Sequence, residues 1–585
     1  MAAEVSVQSL MAYRKDIDGL RAVAVIAVIL FHLGLLPNGY LGVDIFFVIS
    51  GYLITGIIFR EACRGTFRLT NFYERRIRRI LPLALFVTAA ALCIGFFVML
   101  PDDLENLAQS VIATNFFANN ILQAITTRNY WDVVNEYKPL MHTWSLGVEE
   151  QFYLIYPLLF LFVQRFGTGY LLPAIAFISV ASLLLFLAPF PDYQKFYYLP
   201  FRFFELSAGG LVAIRQARRP VVVVGSGWAI VPLGAILFLN VALPSTPVLL
   251  VTVMLSCLAV SCIQPGQSPH AWLLENRWVV FLGTISYSLY MWHQVVFAFA
   301  RYGLFEELRG WSIALLMVLV VALSLFSYHL IEQPFRKRGK YSLRLLLSVV
   351  LGFSFATTAA AGWLYLRAGV VRDVPELEIV AGSGQRGMHA GYNHRIDEHN
   401  REFESAGLKV LVIGNSFARD WANVLLESQW GGRFELSYLP DSNRSDQLRE
   451  RWAAADVVFW SEAAPEVIKL AGQDQSKLYV VGTKNFGKSA GIFYNRRGAG
   501  YFKQRVLPDG GFISANLQAK QFFGERYIDL MEPVMDTEGR VQVFTPSGKL
   551  ISQDCRHLTR AGARYYAQLL SGRLDQILGK LNQPR

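Results

Sequence analysis

Residues 19–59 read GLRAVAVIAVILFHLGLLPNGYLGVDIFFVISGYLITGIIF, two long apolar runs joined at Pro37-Asn38-Gly39. At about 1.5 Å per residue in a helix, each run is long enough to cross a hydrocarbon core of about 30 Å. Arg21, His32 and Asp44 stand in these runs or at their ends. Ionisable groups are expensive in lipid, so such residues are functional candidates by default. They also have a plain reading: a histidine can hydrogen-bond a neighbouring helix, and an arginine at a helix end can snorkel to water. Arg21 and His32 fall on one helix, about 16 Å apart along its axis. That places Arg21 near one membrane face and His32 deep in the span or toward the other face.

The whole chain extends this pattern. Of its 585 residues, 53% are hydrophobic and 17% charged, too apolar for an ordinary soluble protein. The excess fills residues 19 to about 365 and then stops. A polytopic helical membrane portion followed by a polar globular portion is expected. The formal charge is +11 and the pI about 9.3. The basic residues cluster beside apolar spans, so topology explains them and no nucleic-acid partner is expected. The first apolar run is of full span length with no small-residue cleavage site after it, and reads as a retained signal anchor. Cys63, Cys93, Cys257, Cys262 and Cys555 show no zinc spacing. Only Cys555 lies in the polar portion, which excludes an internal disulfide there. No metal site is expected.

Apolar runs predict spans near 19–37, 42–59, 81–100, 146–164, 169–190, 200–214, 221–241, 247–264, 279–300, 311–331 and 345–365, about ten or eleven in all. Basic loops orient them. The 60–80 loop carries Arg60, Arg64, Arg68, Arg75, Arg76, Arg78 and Arg79. Arg215, Arg218 and Arg219 follow the sixth span, and Arg336, Lys337, Arg338, Lys340 and Arg344 the tenth. All three fall on the cytoplasmic side if the N-terminus is cytoplasmic. Segment 101–145, with Asp102, Asp103, Glu105, Asp132 and Glu136, would face outward. An odd count of spans puts the C-terminal portion outside. Residues 366 to about 407, with Gly382-Ser383-Gly384, read as a linker or an extended wrap.

Beyond the linker, KVLVI at 409–413 is a short buried-type strand. DVVFW at 456–460, KLYVVG at 477–482 and YIDL at 527–530 are similar, with helical patterns between and after them, including 558–578. This alternation predicts an α/β domain with a parallel sheet. Gly414-Asn415-Ser416-Phe417 follows the first strand directly. A Ser at a strand's carboxyl end, opening a helix, is where an open α/β sheet places a nucleophile. Asp554-Cys555-Arg556-His557 precedes the last helix, and supplies a base with its orienting carboxylate. Each motif alone is weak; both in this order at the two ends of one domain are much stronger. Together they resemble the SGNH hydrolase and transferase fold. The resemblance implies Ser416 as nucleophile, His557 as general base, Asp554 as its orienter and the Ser416 backbone N–H as an oxyanion donor. Asn415 and Phe417 depart from that family's usual Gly-Asp-Ser block. Asn485 is a candidate second oxyanion donor or, equally, a turn residue.

The membrane portion carries its own resemblance. Arg21 and His32 form an Arg-x10-His element. Gly42-Val43-Asp44, Phe46-Phe47-Val48-Ile49-Ser50-Gly51 and Trp144-Ser145-Leu146-Gly147-Val148-Glu149-Glu150-Gln151-Phe152-Tyr153 follow it. The set resembles the acyltransferase family 3 membrane proteins. Taken alone, Arg75-Arg76-Ile77-Arg78-Arg79 is a topology signal that meets lipid headgroups. The resemblance adds an Arg-x-x-Arg element, Arg75 to Arg78 or Arg76 to Arg79, for the phosphates of acyl-CoA. Arg202 and Glu205 stand three apart on one helix and can pair, and the family has an Arg and Glu in this element. His293 is a further interior polar candidate.

These resemblances imply an integral membrane O-acyltransferase, more narrowly an O-acetyltransferase, with acetyl-CoA as donor substrate and no permanently bound cofactor. Acyl-CoA would bind at the cytoplasmic face against Arg21, Arg75, Arg76, Arg78 and Arg79. His32 would act as acyl acceptor or general base, tuned by Asp44 or Glu149, and Ser416 would take the acyl group outside. The acceptor would be an envelope glycan, lipopolysaccharide or peptidoglycan, and the address a bacterial inner (plasma) membrane. The expected division is a membrane acyltransferase domain at 1–335, an extra transmembrane helix and linker at 336–407, and an extracytoplasmic SGNH-like domain at 408–585. A transporter or flippase with an outer binding module, and a membrane-tethered esterase, are the competing readings. Oligomeric state is open.

Overall fold

A computed structural model describes residues 13–126, 133–218, 226–239, 244–261, 271–304, 308–381, 388–440, 445–461 and 475–581. Arg219, Asp132, Cys262 and Gly382-Ser383-Gly384 lie outside the described residues. The chain divides into two compact units. The first comprises Met1–Phe97, Asn106–Arg301 and Phe305–Gly362; the second, Val98–Glu105, Tyr302–Leu304 and Trp363–Arg585.

The first unit is helical. Its main helices are α1 (Lys15–His32), α2 (Gly42–Cys63), α3 (Leu69–Val98), α4 (Thr143–Gln164), α5 (Leu171–Leu187), α6 (Leu199–Arg218), α7 (Ser245–Ser261), α8 (Ser286–Gly303), α9 (Trp311–Ser327) and α10 (Leu343–Leu366). Among the described residues, six helices are long and apolar enough to cross a membrane: α2, α3, α4, α5 and α9 with their flanking turns, and α10. The larger expected number has a physical explanation. Helices α1, α6 and α8 are continuous over 18, 20 and 18 residues but carry polar and charged side chains turned into the bundle. The run at 221–241 holds only a nine-residue helix, Ile230–Phe238, among its described residues, too short to span. The run at 279–300 breaks at Ile285 into Arg277–Thr284 and α8. Helix α3 begins well before the span expected at 81, so Arg75–Arg79, read as loop, are its first turns.

The centre of this unit is the contact of α2 with α6. A Cβ on Gly51 would collide with the Leu206 carbonyl, and one on Gly209 with the Val48 carbonyl. Small residues facing each other across helices let backbones touch, the packing device lipid favours. Asp44 and Arg202 are thereby brought together in the interior.

The second unit is α/β. Its strands are β1 (Leu408–Ile413), β2 (Phe434–Leu439), β3 (Val457–Ser461), β4 (Leu478–Val481), β5 (Arg505–Val506), β6 (Tyr527–Ile528) and β7 (Val541–Gln542). Five form one parallel sheet in the order β2-β1-β3-β4-β6. Strands β5 and β7 form a small antiparallel pair. Every residue of β3 and all but one of β1 are buried, the continuous apolar run expected of a strand covered on both faces. Its longer helices are α11 (Ser416–Leu426), α12 (Ser445–Ala454), α13 (Gly510–Phe523), α14 (Arg560–Leu569) and α15 (Ser571–Leu581). The single helix expected at 558–578 is thus two, broken at Leu570. Segment 366–407 is more than a linker: Val370, Val374, Ile379 and Ile396 are core residues of this unit.

Candidate active site

Strand order reverses at β1, whose two neighbours are β2 on one side and β3 on the other. Ligands of open α/β sheets bind at such a switch point, beyond the strands' carboxyl ends. Ser416 sits there, three residues past the end of β1 and first in α11. Gly414 makes the turn with φ 132°, in the region that favours glycine. A Cβ there would also lie 3.0 Å from the Ser461 carbonyl oxygen. Asn415 caps the helix, its side chain accepting from the Phe417 N–H.

The His557 Nε2 lies 2.7 Å from the Ser416 Oγ, and its Nδ1 lies 2.6 Å from Asp554 Oδ2. The other Asp554 oxygen, Oδ1, accepts from the backbone N–H groups of Arg556 and His557 at 2.9 and 2.7 Å. A carboxylate can only accept, so His557 Nδ1 carries a proton and Nε2 accepts from the Ser416 hydroxyl. The Asp554 side chain is 42% exposed, so this dyad stands open to solvent. Phe417, where the family block has a different residue, packs its ring 5.4 Å from the His557 ring. The Lys484 ammonium lies 4.1 Å from the Phe417 ring centroid and pairs with Asp420 at 2.7 Å, with both side chains buried. Asn393 donates to Asp420 and to the Ser416 carbonyl. The Lys484–Asp420 pair is a feature the motif reading missed; nothing short-range marks it. Asn485 is occupied: its side chain bonds Gly487 and the Asp509 N–H, the turn arrangement.

Glu427, which caps the C-terminal end of α11, ties the serine helix to the helix that follows His557. It accepts from Arg560 and Arg564 of α14 at 3.2 and 2.9 Å, and from Arg395 at 3.3 Å. Burial pushes its carboxyl up, but the Arg564 hydrogen bond and the charges of Arg560, Arg564 and Arg395 outweigh this and hold it below the ordinary value. A carboxylate lowered in the folded state stabilises above its unfolded pKa, and that stability is lost as pH falls through the folded one. Glu427→Gln is expected to lower the melting temperature of the full chain in detergent by roughly 2–4 °C at pH 7. The gap between variant and wild type should close below pH 4; thermal scans at both pH values check it.

The first unit holds a pocket with about 800 Å³ of empty space, open solvent at its mouth included. Arg21, Arg76, Arg79, Glu149, Ser50, Tyr153, Tyr287 and Tyr290 line it, among others. Glu149 accepts from the Ser50 hydroxyl at 2.7 Å. The two possible Arg-x-x-Arg pairs separate here. Arg75 pairs with Glu61 at 3.0 Å. Arg78, nearly fully buried, pairs with Glu74 at 2.8 Å and donates to the Phe335 and Tyr341 carbonyls. Arg76 and Arg79 face the cavity. Helix phase explains the split, since adjacent residues point about 100° apart. On the expectation that acetyl-CoA is the donor, Arg79→Ala should raise its KM about tenfold or more, while Arg75→Ala changes it less than threefold, in steady-state CoA-release assays.

His32 does not line this cavity. Its ring lies 5.1 Å from that of His293, and His293 lies 5.2 Å from His142. Arg301 donates to the His32 carbonyl. The expected tuning by Asp44 or Glu149 has no counterpart in the described contacts. Asp44 is bound to Arg202 at 2.8 Å, and Arg202 to Glu205 at 3.1 Å, all buried. A buried guanidinium needs such partners, which is why Asp44 is not available to the imidazole. His142, two residues before Trp144 and at the start of α4, is a third buried imidazole that the motif reading missed. No cluster of His, Cys, Asp and Glu suited to a metal ion occurs among the described residues.

The acyltransferase domain family matches residues 14–329, more than half of the chain, and the chain belongs to that family. It is similar to a peptidoglycan O-acetyltransferase of Listeria monocytogenes, 31% identical over 351 residues, 56% of each chain. It is also similar to the O-acetyltransferase OatA of Staphylococcus aureus, 30% identical over 357 residues, 56% of this chain and 58% of that one. The chain thus spans less than two thirds of the curated relatives it matches. No solved structure matches.

Proposed function

We propose that this chain is an integral membrane O-acetyltransferase that moves an acyl group from cytoplasmic acyl-CoA to a hydroxyl of an envelope glycan. The observation that carries this reading is the Ser416–His557–Asp554 arrangement in a chain whose helical unit belongs to an acyltransferase family. The second unit is taken as an SGNH-type domain on the periplasmic side of a bacterial inner membrane, with the N-terminus cytoplasmic.

Acyl-CoA binds with its phosphates on Arg21, Arg76 and Arg79. His32 receives the acyl group, or activates its acceptor, within the bilayer. Ser416 Oγ then attacks the acyl carbonyl, passing its proton to His557 Nε2. The imidazolium formed is held by Asp554, and the Ser416 N–H at the start of α11 faces the oxyanion. His557 gives that proton up to solvent; in the second half it takes the proton of the acceptor hydroxyl, which attacks the acyl-serine, and returns it to Ser416 Oγ as that oxygen leaves. A lipopolysaccharide-type polysaccharide is the acceptor proposed first. Peptidoglycan is the second reading, favoured by the name of the Listeria relative.

Mass spectrometry of envelope glycans from cells with and without the chain tests the proposal. Acetyl esters that appear only with the chain, on one glycan class, support it and name the acceptor. Identical ester content on every glycan overturns it in favour of transport.

A further inference from the structure

The arginine-lined cavity and the histidine cluster share one side chain. Tyr290 of α8 lines the cavity, and its ring lies 5.2 Å from His142 and 5.4 Å from His293. Its hydroxyl is held by Ser145 at 2.7 Å and by the His142 carbonyl at 2.8 Å. One turn later on the same helix, His293 is completely buried. Its Nδ1 lies 2.6 Å from the Tyr290 carbonyl oxygen. A carbonyl only accepts, so Nδ1 carries the proton and Nε2 is left with its lone pair. That Nε2 is buried with no hydrogen-bond partner among the described residues. Leaving a buried acceptor unmet is costly, and the large majority of buried polar groups have a hydrogen-bond partner. Two imidazoles stand beside this base, His32 and His142, with ring centroids 5.1 and 5.2 Å from that of His293.

We propose that His293 is the proton acceptor for His32, a positioning residue that acts through it. This rests on the acyl-CoA reading above. In the step, one His32 ring nitrogen attacks the thioester carbonyl carbon, the C–S bond breaks, and the CoA thiolate leaves with the electron pair. The other His32 ring nitrogen gives its proton to His293 Nε2, so the acylated imidazole is neutral. The proton returns to His32 when the acyl group moves on. The His293 imidazolium so formed is held by the Tyr290 carbonyl. The other ionisable groups around the pair are His142, Tyr290 and Arg301, the last paired with Glu136 at 3.5 Å. No carboxylate touches either ring in the described contacts, and of the two other imidazoles only His293 makes a described ring contact with His32, which makes it the base placed to serve.

The test uses the full chain in nanodiscs with acetyl-CoA as probe and CoA thiol release as readout. His293→Asn keeps a donor for the Tyr290 carbonyl but removes the Nε2 base. It is expected to slow CoA release about 100-fold with the KM for acetyl-CoA unchanged. His293→Gly opens the position, and imidazole added at tens of millimolar is expected to restore at least tenfold of the loss. A rate for His293→Asn within twofold of wild type overturns the proposal. So does a loss in both variants that imidazole fails to restore, the mark of a purely structural role. Wild-type chain that releases no CoA overturns the acyl-CoA reading itself, an outcome seen before any variant is made.

Discussion

Replacing Ser416 with alanine is expected to cut glycan acetylation by at least about 10³-fold while the chain folds and inserts normally. The magnitude follows from removing a nucleophile whose base and orienter act only through it. The Ser416 side chain is small and half-buried, and its described polar bond runs to His557 Nε2, so its loss leaves an imidazole partly open to water and little strain. Phe417 still covers the histidine, and Asn415 still caps α11. The assay is acetyl ester on isolated glycan, with protein level and melting temperature as controls. Unchanged ester content would remove Ser416 from the pathway and leave the second unit as a binding module.

The second large effect is expected at His32. His32→Ala should abolish glycan acetylation supplied from acetyl-CoA, again by about 10³-fold or more. Hydrolysis of a small activated ester by the same full chain, which needs only Ser416 and His557, should persist. That dissociation is diagnostic. His32 stands with His293 and His142 in the helical unit, and no described hydrogen bond of its ring contributes to the fold. Loss of both activities together would mark a folding defect. Survival of acetyl transfer from CoA would mean that the membrane imidazole has no part in the relay.

Much of this was legible in residue order. A buried strand ending in Gly414-Asn415-Ser416 and an Asp-x-x-His before a terminal helix are local patterns, and the sheet that joins them follows from alternation of strand and helix. The long apolar runs at α2, α3 and α4 were equally plain. What was not legible depends on which side of a helix meets which neighbour. Arg75 and Arg76 are adjacent and chemically identical, yet one pairs with Glu61 and the other faces the cavity. Asp44 lies near His32 in sequence but is claimed by Arg202, 158 positions away. The Asn485 side chain could have donated to an oxyanion, and instead closes a turn through Gly487. Strand β2 has only partial burial at its start, so its pattern is weaker than those of its neighbours.

The inward-facing charges of α6 bear on how the protein is made. Each charged side chain at the centre of a helix raises the cost of releasing that helix into lipid by about 2.5–3.5 kcal/mol. Arg202 and Glu205 would therefore hold α6 back at the translocon if it emerged alone. The partner of Arg202 from another helix, Asp44, is synthesised long before it, on the more apolar α2. The earlier helix must wait beside the exit site until the later one arrives, so biogenesis of this enzyme couples two segments far apart in translation time, and cells short of insertion chaperones should lose it before they lose simpler membrane proteins.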